Sequence, residues 1–284
     1  MKILSALVIF CIAGLISTSS AQEIPTPVKA KLVSNIQSIK PGDSFMLGVL
    51  FEIDPGWHIY WKFPGETGLP TKVEFNLPNG YQAEEVMWPI PSSYVKPDGG
   101  ADYGYENSVL LWADIQVPPS LKNEGTSEIG VQISWVSCKE ICIPGNKSLV
   151  YDLKISDETS WNGEDLFSEW HNFLPLVLSN RENPFDFEVT TKKADSDIIN
   201  VSLVVKHKEH NGEIDYYPNP GNSLIVQNLK SAKSDNVDTT KITFDVIAEE
   251  GVVLSENVLD GLIVYSEKNG KRSAVEMKID LNGT

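Results

Sequence analysis

The chain has 284 residues, 41% of them hydrophobic and 22% charged, with 23 basic against 39 acidic side chains and a formal charge of −16. These values belong to a globular protein able to bury a core, and they exclude disordered and multi-span membrane classes. The negative field repels phosphate backbones and anionic lipid heads, which removes nucleic acid as a partner, and no apolar stretch beyond the amino-terminal segment is long enough to insert the mature chain in a membrane.

At the amino terminus Lys2 precedes an apolar run from Ile3 to Ile16, followed by Ser17, Thr18, Ser19, Ser20 and Ala21. This charged start, apolar middle and small-residue end is the pattern of a secretory signal peptide, expected to span 1–21 and to be cut after Ala21. An apolar run of about 14 residues is short for a bilayer span, which takes about 20. Cys11 lies inside this segment and is expected to be discarded with it. Cys138 and Cys142 remain, even in number and four positions apart, in a chain expected to reach an oxidising compartment.

From Val28 onward the dominant period is two. Phe45, Leu47, Val49 and Phe51 alternate in one run, Val109 to Val117 in a second, Ile129 to Trp135 in a third and Leu149 to Ile155 in a fourth. Turn signals separate them: Lys40-Pro41-Gly42-Asp43, Asp54-Pro55-Gly56, Leu77-Pro78-Asn79-Gly80 and Pro144-Gly145-Asn146. Short strands divided by such turns predict an antiparallel sandwich over 22–156. Asp157, Glu158, Thr159 and Ser160 then offer caps and first-turn acids. Leu166, Trp170 and Phe173 or Leu174 recur at helical spacing up to Pro175, which predicts a short helical linker within 157–183 that also holds His171. Beyond Asn183-Pro184 the period of two resumes in Phe185 to Val189, Ile199 to Val205, Ile242 to Ala248 and Val275 to Leu281, predicting a second, smaller β domain over 184–284. The fold class expected is all-β.

Chemistry concentrates at Cys138-Lys139-Glu140-Ile141-Cys142, placed between a strand and a turn. Four extended residues would span about 13 Å, beyond the roughly 4.4–6.8 Å between Cα atoms that a disulfide needs, so the segment has to curl if the two cysteines pair. Two readings stand. One is a clamp on a loop, although so small a ring is worth only about 2 kcal/mol against about 3 for a ring of 15 residues. The other is a redox pair, which needs access and a stabilised thiolate; Lys139 favours the anion and Glu140 opposes it. Nearby, Trp57, Ile59 and Trp61 share one strand face while His58 and Tyr60 share the other, an arrangement that serves core packing or, through Tyr60 or His58, shielding of the cysteines. His207 and His210, among Lys206, Lys208 and Glu209, fall short of a zinc ligand set and read as a solvated loop, so no metal is expected. Neither a serine elbow nor a glycine-rich phosphate loop is present, and no other cofactor is expected.

Taken in order, Trp57-His58-Ile59-Tyr60-Trp61, Pro64-Gly65-Glu66-Thr67-Gly68-Leu69-Pro70-Thr71, Trp88-Pro89-Ile90-Pro91, Tyr103-Gly104-Tyr105-Glu106 and Cys138-Lys139-Glu140-Ile141-Cys142-Ile143-Pro144 resemble the amino-terminal periplasmic domain of the DsbD thiol:disulfide interchange family, in particular its ScsB-like branch. Asp215-Tyr216-Tyr217-Pro218-Asn219-Pro220-Gly221 resembles the second exported segment of that branch. The resemblance implies an immunoglobulin-like sandwich in the periplasm, acting as a protein-disulfide reductase or thiol:disulfide oxidoreductase module. Its cysteine pair would take electrons from a membrane-embedded thiol:disulfide donor, here a separate protein, and pass them to periplasmic thioredoxin-like or disulfide-bearing proteins, as in disulfide reduction or cytochrome c maturation. It further implies that Cys142 forms the mixed disulfide and Cys138 resolves it, under an aromatic cap to which Tyr103 and Tyr105 correspond. The alternative class is a non-catalytic β-sandwich binding or assembly module with a structural disulfide.

Overall fold

The computed structural model describes residues 26–65, 67–95, 100–162, 165–176, 185–195, 197–207, 212–221, 223–233, 239–248 and 258–282. The expected signal peptide, Cys11, Asn183-Pro184 and His210 lie outside the described residues. Among the described residues the protein is all-β with one short helix, as expected.

The first sandwich is built from β1 (Val28–Ser34), β2 (Ile36–Ser38), β3 (Ser44–Ile53), β4 (His58–Gly65), β5 (Lys72–Asn76), β6 (Gln82–Ala83), β7 (Ser92–Val95), β8 (Ala101–Glu106), β9 (Ser108–Gln116), β10 (Gly125–Cys138) and β11 (Cys142–Ile155). One sheet runs β1-β3-β9-β6; the facing sheet runs β11-β10-β4-β8-β7, with β5 also paired to β10. Pairing throughout these two sheets is antiparallel. The alternating positions predicted from sequence fill the space between them: Phe45, Leu47, Val49, Phe51, Leu111, Ile115, Ile129, Val131 and Ile133 are buried in one cluster. The predicted turns at 40–43 and 54–56 close by Asp43 N–H donating to Lys40 O and Trp57 N–H to Asp54 O. In both, glycine supplies the positive φ that follows proline, +94° at Gly42 and +80° at Gly56.

Strand β9 departs from alternation. Val109 to Ala113 are all buried, because Leu110 and Trp112 on its outer face meet Phe167 while Val109, Leu111 and Ala113 face the core. Phe167 belongs to α1 (Asp165–His171), seven residues long and shorter than the predicted stretch. The expected caps do other work. Ser160 and Trp161 form β12 against β2, and the Thr159 hydroxyl donates to Asp43 at 2.6 Å and accepts from the Lys40 N–H at 3.0 Å. Leu166 and Trp170 pack on the helix's buried side as the spacing predicts, but Phe167 is the most buried of its residues.

Past the helix come β13 (Phe185–Asp195), β14 (Ile198–His207), β15 (Gly212–Asn219), β16 (Leu224–Lys233), β17 (Thr239–Ala248), β18 (Val258–Glu267) and β19 (Arg272–Asp280). They form a sheet β13-β14-β17-β16 and a sheet β15-β18-β19, closed over a second core that includes Phe185, Leu203, Phe244, Ile263 and Ile279. The three-stranded sheet is covered on both faces. Ile263 and Tyr265 point into the second core, whereas Leu262, Val264, Ala274 and Tyr217 join the core of the first sandwich. The two units therefore share apolar contact, and Tyr217 meets Tyr103 at 4.5 Å between ring centroids.

One turn is displaced from its predicted place. Pro144-Gly145-Asn146 is not a turn but part of β11, with Val136 opposite Pro144 and Trp135 opposite Gly145. Because β11 ends the sheet, a proline there withholds no ladder bond that the sheet needs. Glycine follows because the Trp135 ring, packed against core residue Phe51, occupies the space a side chain would need: a Cβ at Gly145 would lie 2.3 Å from the indole. The reversal comes earlier, at Lys139–Ile141, between the two cysteines.

Candidate active site

Strands β10 and β11 are a long hairpin, and Cys138 and Cys142 are its last register pair before the turn. Their Cα atoms are 4.1 Å apart and their sulfurs are bonded at 2.03 Å. The segment does curl, with Lys139 N–H donating to Ile141 O across the turn. Cys138 is also paired with His58 of β4, so it lies inside the sheet, whereas Cys142 begins the free edge. This topology makes the two sulfurs unequal. Cys138 is 3% exposed, while Cys142 and the neighbouring Ile141 are open to solvent. An incoming thiolate thus has one sulfur to attack, and the other is the leaving group.

The outer face of β4 supplies the surroundings of Cys138. Ile59 and Trp61 point into the core, leaving Tyr60 and His58 on the cysteine side. The Tyr60 hydroxyl donates to Cys138 Sγ at 3.2 Å. His58 stands edge-on to Tyr60 at 5.2 Å and is stacked by Tyr94 of β7 at 4.6 Å. Burial holds the His58 imidazole below its ordinary pKa against the opposing pull of Asp102 and Glu106. Its Nε2 is buried with no hydrogen-bond partner. Burial likewise raises the Tyr60 phenol, with Asp102 adding to the effect, so Tyr60 stays a hydrogen-bond donor.

A roof covers Tyr60. Gly68 lies so close to the ring that a Cβ there would sit 2.3 Å from Cζ, and its φ of +90° also demands glycine. The loop is tied down by Asp102 of β8, whose carboxylate accepts from Thr67 N–H at 3.0 Å and the Thr67 hydroxyl at 2.7 Å. The covering of the cysteine side is therefore Tyr60 under the loop around Gly68, with His58 and Tyr94 beside it.

Tyr103 and Tyr105, the cap candidates from the family resemblance, lie elsewhere. They point from β8 into the core, 3% and 6% exposed. Tyr103 packs with Trp61, Phe63 and Tyr217, and the Tyr105 hydroxyl donates to Pro89 O at 2.7 Å. Alternation along β8 puts both on the face opposite Asp102, Gly104 and Glu106, and it is this second set that borders Tyr60 and His58. Tyr94, Asp102 and Thr67 were missed by the sequence reading. Their spacing carries no chemical pattern; they meet only because β7, β8 and the β4–β5 loop share one face. Lys139 turns back over the β3–β4 turn, its ammonium 3.1 Å from where a Cβ on Gly56 would lie. Among the described residues no group of three or more His, Cys, Asp or Glu side chains gathers as a metal site.

Residues 25–153 match the family model described as "Thiol:disulfide interchange protein DsbD, N-terminal". No curated protein matches the chain. Among solved structures, the N-terminal periplasmic domain of ScsB from Proteus mirabilis is similar in fold, with a TM-score of 0.63 at 14% identity, over 90% of this chain and 94% of that one. The likeness thus extends over both sandwiches. Among the described residues no helix is long and apolar enough to cross a membrane.

Proposed function

We propose that this chain, whose residues 25–153 belong to the DsbD amino-terminal family, is an exported thiol:disulfide interchange module that works through Cys138 and Cys142. The observation that carries the reading is the inequality of the two sulfurs: Cys142 is exposed at the start of an edge strand, and Cys138 is buried under a tyrosine hydroxyl. A structural clamp needs no such division.

The exchange follows from that geometry. A donor thiolate attacks Cys142 Sγ, the disulfide breaks, and its electron pair leaves on Cys138 as a thiolate that the Tyr60 O–H hydrogen-bonds. The donor's second thiol then displaces Cys142, leaving the donor as a disulfide and this chain as a dithiol that has gained two electrons and two protons. Run toward an oxidised target, Cys142 attacks the target disulfide, and Cys138 resolves the mixed disulfide by attacking Cys142 Sγ. The donor in this reading is a membrane-embedded thiol:disulfide protein, and the targets are periplasmic thioredoxin-like or disulfide-bearing proteins, in disulfide reduction or cytochrome c maturation. The boundaries proposed are a signal peptide over 1–21, the redox sandwich over 22–156, a linker over 157–183 and a second β domain over 184–284.

Trapping tests the reading. Reduced Cys138→Ala, challenged with an oxidised thioredoxin-like protein, is expected to accumulate a mixed disulfide through Cys142, whereas Cys142→Ala is not. Failure of both variants to form any mixed disulfide would overturn it.

A further inference from the structure

The second sandwich contains no cysteine, yet the side chain of Arg272 ties it to the approach to the redox face of the first. Arg272, at the start of β19, donates from Nη2 to Pro91 O at 2.6 Å and to the Tyr217 hydroxyl at 3.2 Å. Pro91 immediately precedes β7, a four-residue edge strand paired only to β8. A strand so short and one-sided is poorly fixed by its own ladder, and a charge-assisted bond at its entry is a strong additional restraint. Two further ties hold the same approach: Tyr105 donates to Pro89 O, and Ile90 N–H donates to Phe173 O beyond the helix. What β7 then presents is Tyr94, stacked on His58, which stands against Tyr60, whose hydroxyl meets Cys138.

We propose that Arg272 is a positioning residue for the exchange at Cys138: by holding Pro91 it seats β7, and through the Tyr94–His58–Tyr60 stack it sets the hydroxyl that receives the leaving thiolate. The inference rests on the exchange reading above and gives the second sandwich a role in it, that of a brace for the redox site. The path runs from the Arg272–Pro91 hydrogen bond along the β7 backbone to Tyr94, then through two ring contacts and the hydroxyl–sulfur hydrogen bond. Tyr217 steadies it by accepting from the guanidinium while its own ring packs on Tyr103. Release of the guanidinium leaves Pro91 O without this donor and Tyr94 free to withdraw from His58, which loosens the ring that orients Tyr60.

The test is the rate at which dithiothreitol reduces the oxidised full chain at pH 7. Arg272→Ala is expected to slow reduction by about threefold to tenfold, the scale of weakening one hydrogen bond to a leaving thiolate. Arg272→Lys, which keeps a cationic donor, recovers most of the rate. In a Tyr60→Phe background Arg272→Ala adds no further slowing, because the route ends at the missing hydroxyl. A rate unchanged by Arg272→Ala, or an equal slowing with and without the Tyr60 hydroxyl, overturns the proposal while leaving exchange intact. Should Arg272→Ala not fold, Tyr217→Phe is read in its place, with slowing expected and an unchanged rate overturning. A wild-type chain that dithiothreitol cannot reduce overturns the exchange reading and this inference together.

Discussion

The hydroxyl of Tyr60 points its proton at Cys138 Sγ across 3.2 Å, joining two residues 78 positions apart. While the sulfurs are bonded, this is a weak contact to a neutral acceptor. When exchange releases Cys138 as a thiolate the acceptor carries a charge, and the same hydrogen bond becomes charge-assisted. Tyr60 therefore stabilises the reduced form more than the oxidised one.

Removing that hydroxyl should make the pair harder to reduce. Tyr60→Phe keeps the ring under Gly68 and is expected to move the reduction potential to a more negative value by about 30 mV, equivalent to about tenfold in the exchange equilibrium. Equilibration with glutathione at pH 7 measures it. A potential equal to wild type would show that the hydroxyl contributes nothing to the reduced state.

Burial sets a difference in reactivity between the two thiols. In the reduced protein, iodoacetamide should alkylate Cys142 at least about tenfold faster than Cys138, because access and thiolate character together govern the rate. Peptide mass mapping of a time course reads both sites at once. Equal rates would mean that Cys138 is not shielded once the disulfide opens.

The roof over Tyr60 has no room for a side chain at residue 68. Gly68→Ala combines a positive φ with a direct clash and should cost about 1–3 kcal/mol of stability, a range typical of strain at special backbone positions. Chemical denaturation measures this cost. Faster alkylation of Cys138 in the same variant would show that the loop shields it.

His58 makes the fold sensitive to acid. Its folded pKa lies below the ordinary 6.5, chiefly through burial, so below that pH the unfolded chain binds the proton first. Its effect is absent above about pH 6.5 and grows as a loss of stability as pH falls from there toward the folded pKa. Denaturation midpoints collected from pH 7.5 to 5 should therefore fall more steeply for wild type than for His58→Phe, which cannot take up a proton. Parallel curves would remove His58 as the source.

Period-two runs identified β3, β9, β10 and β11, four of the eleven strands of the first sandwich, because apolar residues recur at every second position on the face that meets the core. The signal fails in β18, where both faces are covered. Leu262-Ile263-Val264-Tyr265 reads as an unbroken apolar run, since β18 is sandwiched between the two cores, and neither it nor β15 was identified. Pro144-Gly145 misled for a related reason. Whether such a pair ends a strand or continues it depends on whether the strand is at an edge, and the local residues do not record that.

The cysteine spacing, the β-rich class and the family motifs are properties of neighbours along the chain, and the sequence was enough to read them. Which sulfur is exposed was decided by the register that sets Cys138 against His58 and leaves Cys142 on a free edge. The residues around the pair were decided the same way, Asp102 holding Thr67 and Arg272 holding Pro91 from 181 positions away. Such contacts form only after packing brings distant strands onto one face, and hydrophobic periodicity is indifferent to which polar partners then meet.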